Sequence, residues 1–260
     1  MRKSFRHRKL QSVNIDIQRN LFRDQQESTR SRKPSGISTR KMETELQKSY
    51  DCENTYILER HYKFCGRNLC ISQSSDSQLG TSGFIWEAGL ELCRYIEKQN
   101  LNFHGMKVIE LGAGTGILGI LAALLGGNVT ITDQPNALKQ IQHNVTASIP
   151  MSCRDRVDVR ALCWGRDHTQ FPSDHDFILG GEIVYYSKTY HLLVRTLQHL
   201  SSERTTIYLS SKMWSDFQIY EFYEAILPKH FNCELVQRNE DDNINVYKVT
   251  KKYSSSGKQL

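Results

Sequence analysis

What this sequence lacks narrows it first. No apolar run approaches the roughly 18 residues that a membrane helix needs, and the longest, Ile117 to Leu125, is about half of that. No membrane span is therefore expected. The opening MRKSFRHRKLQSV is basic, but no apolar stretch follows it, so a secretory signal is not expected either. Seven cysteines (Cys52, Cys65, Cys70, Cys93, Cys153, Cys163 and Cys233) are odd in number and form no C-x-x-C pair. That pattern speaks against a disulfide scaffold and for reduced thiols in a reducing compartment, the cytoplasm or the nucleus. The nine histidines fall into no H-E-x-x-H or similar spacing, and no metal is expected.

Charge is present but unevenly placed. Residues 1–41 hold twelve lysines and arginines against three acids, while the remaining 219 residues carry 22 basic and 25 acidic side chains. The overall +6 is therefore a property of the N-terminal stretch, attached to a slightly acidic remainder. Rich in Ser and Gln and without apolar periodicity, residues 1–54 are expected to be a disordered basic arm, and residues 251–260 a short tail. Such an arm is compatible with plain solvation, with nuclear import, with a nucleic-acid contact or with an Arg-rich presequence. The acidic remainder offers no phosphate-binding surface, so nucleic acid is disfavoured as a partner. Nothing in the apolar pattern requires a dimer, and a monomer is expected.

From residue 55 strands and helices alternate. Runs Tyr56–Phe64 and Asn68–Ser72 around Cys65-Gly66-Arg67 predict a β-hairpin within an extension over 55–82. Phe84 to Ile96 sets Ile85, Ala88, Leu92 and Ile96 on one helical face, with Gly89 among them to permit close packing. Strands follow at Lys107–Leu111, Val129–Thr132, Val157–Ala161, Phe177–Leu179 and Thr206–Ser210. Helices are expected between them at Gly116–Leu125, from Pro135, at Tyr190–Leu200 and at Asp216–Leu227. Cys233–Val236 and Ile244–Val249 close the domain with only a short acidic loop between, so they must pair antiparallel. The expected fold is α/β over 55–250, a doubly wound, mostly parallel sheet covered on both faces.

Such a sheet binds its ligand at the carboxyl ends of the strands. The first of them ends in Glu110-Leu111-Gly112-Ala113-Gly114-Thr115-Gly116. Glycines there permit a sharp turn and close approach of a ligand to the backbone. Nineteen residues after Gly114, Asp133 ends the second strand, where a carboxylate can accept both hydroxyls of a ribose. Order and spacing point to a nucleoside-containing ligand. Two cofactor classes share this geometry: Gly114-x-Gly116-x-x-Gly119 also fits a dinucleotide site, and Tyr208-x-x-x-Lys212 imitates a dehydrogenase pair, although Tyr208 falls inside a strand.

The run ELGAGTG, with an acid two residues before its first glycine, resembles motif I of the class I methyltransferases. Those enzymes use S-adenosylmethionine and have a Rossmann-like seven-stranded sheet ending in two antiparallel strands. With Gly83-Phe-Ile-Trp86-Glu-Ala-Gly89, Val129-Thr-Ile-Thr-Asp133, Trp164-Gly165 and Phe177-Ile-Leu-Gly-Gly-Glu-Ile-Val-Tyr185, the series resembles the methyltransferase-like 21 group of protein-lysine methyltransferases. The resemblance spans about residues 55–250. It implies cofactor contacts at Trp86, Gly112, Ala113, Gly114, Asp133, Trp164 and Gly181. It also implies that Glu182 and Tyr185, as the acid-x-x-aromatic motif, flank the methyl-transfer site, with Tyr186 adjacent. It further implies a protein substrate: a chaperone, another ATPase or a translation factor.

Three positions depart from the group's pattern. Glu182 stands where Asp is commoner, Glu87 where Pro or Asp is frequent, and Gly181 where Ala is usual. A carboxylate beside a lysine stabilises its ammonium form, so Glu182 is expected to dock and orient the lysine rather than lower its pKa. The Asn/Asp-Pro-Pro-Tyr motif of base-amino methyltransferases is replaced by Glu182-Ile-Val-Tyr185. The alternatives are a methyltransferase acting on a non-protein substrate, and a binding module that keeps the fold without catalysis.

Overall fold

The computed structural model describes residues 57–214 and 218–252. The basic arm, the last eight residues and the first expected residues of the 216–227 helix lie outside that range. Contacts divide the described residues into two units, one of 57–73 with 82–252 and another containing 74–81. In the small unit Asp76 organises a turn, accepting the Gln78 N–H on its carboxylate at 2.9 Å and the Leu79 N–H on its carbonyl at 3.0 Å.

The large unit starts with a two-stranded sheet, β1 (Ile57–Phe64) and β2 (Arg67–Ser74). Cys65 and Gly66 between them both have positive φ, 51° and 71°. That is the backbone a type I′ hairpin turn demands, and it matches the twist of the flanking strands. The alternation then runs α1 (Glu87–Lys98), β3 (Lys107–Glu110), α2 (Ile117–Leu124), β4 (Asn128–Asp133), α3 (Leu138–Ser148), β5 (Val157–Ala161), β6 (His175–Gly181), α4 (Tyr190–Leu200), β7 (Ser201–Lys212), β8 (Phe231–Asn239) and β9 (Ile244–Lys251). Between β7 and β8, one α turn (Ile219–Glu221) continues as a π turn (Phe222–Ile226).

Among the described residues, seven strands form the main sheet in the order β5-β4-β3-β6-β7-β9-β8. β5, β4, β3, β6 and β7 pair parallel; β9 runs antiparallel between β7 and β8. The antiparallel ending follows from the short Asn239–Ile244 connection, which leaves no room for a crossover. The winding reverses between β3 and β6, which opens a crevice at their carboxyl ends.

Alternation along each strand builds two apolar cores, one on each face. Val108, Leu179 and Tyr208 join α1, α2 and α3 on one side, whereas Ile109, Ile178 and Ile207 join α4 and the Ile219–Leu227 segment on the other. The strands also run further than their apolar centres. β7 extends back through Ser201-Ser-Glu-Arg-Thr205, a polar half with no strand signature of its own, held by pairing of Ser201 with His175 across a bulge.

Helix α1 packs onto the carboxyl ends of β6 and β7 through two contacts. Ser210 Oγ donates to the Ala88 carbonyl at 2.7 Å. A Cβ on Gly181 would come within 2.8 Å of Gly89 Cα, whereas a Cβ on Gly89 would meet only Ile117 Cγ2, at 3.9 Å. The glycine that the close approach requires is therefore 181. Gly181→Ala is expected to cost about 1–3 kcal/mol by overpacking, lowering Tm by roughly 2–4 °C per kcal/mol. Gly89→Ala is expected to hold or raise Tm, since alanine is the better helix former by about 0.5–1 kcal/mol. Calorimetry of the two variants checks the opposite signs.

Candidate active site

The glycine loop, the end of β4, the turn after β5 and the end of β6 converge on the crevice. Gly112, Gly114 and Gly116 all take left-handed backbone, with φ of 57°, 56° and 82°. Gly112 is enclosed as well: an added Cβ would lie 2.8 Å from Ile183 Cγ2 and 3.2 Å from Trp164 Cζ2. Ala113 ties the loop to β4, its N–H donating to the Thr132 carbonyl at 3.0 Å. From inside the loop, buried Glu110 holds the first turn of α2, accepting the Gly119 N–H on Oε2 at 2.8 Å. Burial pushes the Glu110 carboxyl up to about 8 against the pull of the Gly119 and Leu118 amides.

Asp133 closes the other side. Its Oδ2 accepts the Gly114 N–H and its Oδ1 the Gln134 N–H, each at 2.6 Å. Burial raises its pKa from the ordinary carboxylate range, and these two amides oppose the rise. Two carboxylate oxygens offer about four acceptor positions, so two amides leave capacity for a pair of hydroxyls. The Asp133 carbonyl also accepts the Leu162 N–H at 2.9 Å, which sets the start of the next turn. That turn is pinned to α4: the Gly165 N–H donates to Thr196 Oγ1 at 2.9 Å, and a Cβ on Gly165 would strike Leu192 at 2.5 Å. Trp164 thereby sets its ring beside Gly112, on the side that an added Cβ would occupy. An enclosed glycine, a carboxylate acceptor and an indole wall fit a nucleoside cofactor.

Trp86 caps α1 in extended backbone, φ −94° and ψ 142°. The preceding Ile85 N–H donates to the buried Gln73 Oε1 at 2.9 Å. Glu87 sits in the first turn of α1 and pairs with Arg94 at 2.9 Å, a placement suited to the helix dipole.

Glu182 is one of five non-glycine residues with positive φ among the described residues. It follows β6 with φ of 58°, a left-handed conformation that a non-glycine residue adopts at a cost of about 1–3 kcal/mol. Its N–H donates to the Ser210 carbonyl at 2.8 Å, and its carboxyl oxygens accept the Lys212 N–H at 3.1 and 3.3 Å. Only 5% exposed, the carboxyl is pushed up to about 8 by burial, with Lys212 opposing. Tyr185 and Tyr186 lie half-buried in the loop that follows.

The hairpin brings together a group that sequence spacing did not reveal. Glu59, His61 and Cys70 hold their ligand-type atoms within 4.8 Å of one another, because residues two apart on one strand share a face. Glu59 pairs with His61 at 3.3 Å on the exposed surface. Burial, then the neighbouring Glu59, hold the Cys70 thiol above its usual range, away from the thiolate that a metal takes.

Fold and crevice together define a class I methyltransferase that uses S-adenosylmethionine. The fold is shared with the T. thermophilus 16S rRNA methyltransferase RsmC in complex with AdoMet and guanosine (TM-score 0.55, 15% identity, 75% of this chain and 51% of that one). It is shared too with the magnesium protoporphyrin IX methyltransferase of Synechocystis with bound SAH (TM-score 0.50, 11% identity, 68% and 86%). The family model described as lysine methyltransferase matches residues 64–226. Among curated relatives, EEF1A lysine methyltransferase 3 of Xenopus tropicalis is 52% identical over 198 residues, covering 76% of this chain and 88% of the relative. The protein of the same name from Mus musculus is 51% identical, covering 75% and 84%. Protein N-lysine methyltransferase METTL21A of Xenopus tropicalis is 40% identical, covering 72% and 86%. The chain belongs to the lysine methyltransferase family, and it transfers methyl from S-adenosylmethionine to the side-chain amine of a lysine in a protein.

Proposed function

We propose that the protein methylates a lysine of EEF1A, acting as a monomer in the cytosol. The carrying observation is the 52% identity, over 88% of its length, to a relative named for EEF1A. A monomer agrees with the few large apolar side chains exposed among the described residues. Incubating the protein with purified EEF1A and labelled cofactor tests the substrate. Label on one or more lysines of EEF1A, mapped by mass spectrometry, is expected. Label on another lysate protein but not on EEF1A would remove this substrate and leave the enzyme class standing.

In this reading Trp86, Gly112, Ala113, Gly114, Asp133, Trp164 and Gly181 form the cofactor site. Asp133 accepts ribose hydroxyls with its remaining lone pairs, and Trp164 offers a face for adenine stacking, worth about 1–3 kcal/mol by analogy with base–aromatic contacts. Gly181 serves the site by letting α1, and with it Trp86, lie close to the strand ends. When bound, S-adenosylmethionine supplies an electrophilic methyl on a sulfonium. Glu182 and Tyr185 receive the lysine. An incoming ammonium meets a carboxyl whose pKa is about 8, so docking draws the Glu182 proton off at neutral pH. The resulting ion pair fixes the amine in line with its target. Desolvation in the same crevice then favours the neutral amine, whose proton leaves before the methyl is transferred.

A further inference from the structure

One face of α3 joins the N-terminal hairpin to the glycine loop. β2 pairs with β1 on one side, so its other edge leaves the N–H and C=O groups of alternate residues in need of partners. Helix α3 supplies them from side chains. Ser148 Oγ accepts the Cys70 N–H at 3.0 Å and donates to the Cys70 carbonyl at 2.8 Å. One turn earlier, Asn144 Oδ1 accepts the Ser72 N–H at 2.9 Å and Nδ2 donates to the Ser72 carbonyl at 3.0 Å. The match has a simple origin. Four residues of helix rise about 6 Å and two residues of strand about 6.6 Å, so an i, i+4 pair of short polar side chains can serve a strand edge in register.

The same rungs reach the glycine loop. Asn144 Nδ2 also donates to the Thr115 carbonyl at 3.0 Å, from a fully buried position. One turn further back, Gln140 Nε2 donates to the Ser82 carbonyl at 2.9 Å, with the Gly114 carbonyl at 3.5 Å. Ser82 and the loop are in close contact here, since a Cβ on Gly114 would lie 3.3 Å from the Ser82 oxygen. Ser82 leads directly through Phe84 to Trp86.

We infer that Gln140 is a positioning residue for cofactor binding, the last rung of an α3 ladder in which Ser148 and Asn144 hold the hairpin. Its carboxamide clamps the Ser82–Trp86 segment to Gly114, so that loop and indole are set relative to one another before the cofactor arrives. The inference rests on the reading that the glycine loop and Trp86 belong to the cofactor site.

The test uses the full chain with S-adenosylhomocysteine as the probe, measured by calorimetric titration, and hydrogen exchange of residues 82–86. Gln140→Met keeps the length of the side chain and removes its donor. A five- to tenfold weaker Kd is expected, the worth of roughly one hydrogen bond, with faster exchange at 82–86 before ligand is added. At saturating cofactor kcat is expected to change less than twofold, so the effect falls on cofactor KM. Gln140→Glu, isosteric but without a donor for the two carbonyls, serves if the first variant folds poorly and should weaken Kd at least as much. Ser148→Ala is expected to speed exchange at Cys70–Ser72 while leaving Kd within twofold. Wild-type-like Kd in both Gln140 variants would overturn the inference, as would weakening that tracks global Tm with no local change at 82–86. Failure of the wild type itself to bind the probe would strike the cofactor reading instead.

Discussion

Asp133→Ala is expected to weaken S-adenosylhomocysteine binding by about 100-fold or more, to the point of no measurable transfer. Two hydroxyl bonds to a charged carboxylate, at about 1.5–3 kcal/mol each, account for a loss of that size. A second loss adds to it. Asp133 Oδ2 holds the Gly114 N–H at 2.6 Å, so the truncated side chain also releases the glycine loop. Asp133→Asn separates the two: its amide oxygen can keep the Gly114 bond while the charge is gone, and about a tenfold loss is expected. Calorimetric titration of the three proteins checks the order. Equal affinity in wild type and Asp133→Ala would remove Asp133 from the site.

Glu182→Gln is expected to do two opposite things. Activity should fall by about 100-fold in kcat/KM, because a lysine ammonium loses the buried anion that pairs with it, a loss of about 2–5 kcal/mol. Stability should rise. The folded carboxyl titrates at about 8, above its ordinary 4.5, so the stabilising contribution is fully present below pH 4.5 and lost as pH rises through 8. The glutamine, which never ionises, escapes that loss and still offers an oxygen to the Lys212 N–H. Its advantage should be small at pH 5 and grow to the order of 2–4 kcal/mol by pH 8.5. Thermal unfolding across that range reads it as a widening Tm gap. Wild-type kcat/KM should also rise from pH 6.5 to 8.5 as Glu182 ionises, more steeply than in the variant, where only the substrate amine titrates. A pH-independent Tm difference would mean that Glu182 is already ionised in the folded protein.

Both effects come from features of unequal visibility in the sequence. Asp133 was legible because its signals are local: an apolar strand, an acid at its end, and a glycine loop nineteen residues before. The resemblance to the methyltransferase-like 21 group also implied Glu182, as an acid suited to docking a lysine. Its burial, its left-handed backbone and its carboxyl near 8 were not legible, since the residue is enclosed and hydrogen-bonded by a neighbouring strand, through Ser210 and Lys212, 28 and 30 residues later. The same division holds for the glycines. Gly89 read as the residue permitting close packing, but the contact that forbids a side chain is at Gly181, on the far partner of that pair. Within the helix expected from Pro135, nothing local distinguishes Gln140, Asn144 and Ser148 from polar residues that face solvent. They are instead spent on backbone groups of residues 70, 72, 82 and 115.

The sequence by itself determined the alternation, the antiparallel ending, the hairpin turn and the place of the glycine loop. Each of these is set by steric and periodic preferences acting over a few residues: period two or 3.6 in apolar side chains, left-handed backbone at glycine, and a connection too short to cross over. Only the tertiary structure decided which carboxyls are pushed above their ordinary range, which glycine bears the helix contact, and how the hairpin is tied to the loop. Those outcomes depend on burial and on hydrogen bonds between residues far apart in the chain, and a local pattern carries neither.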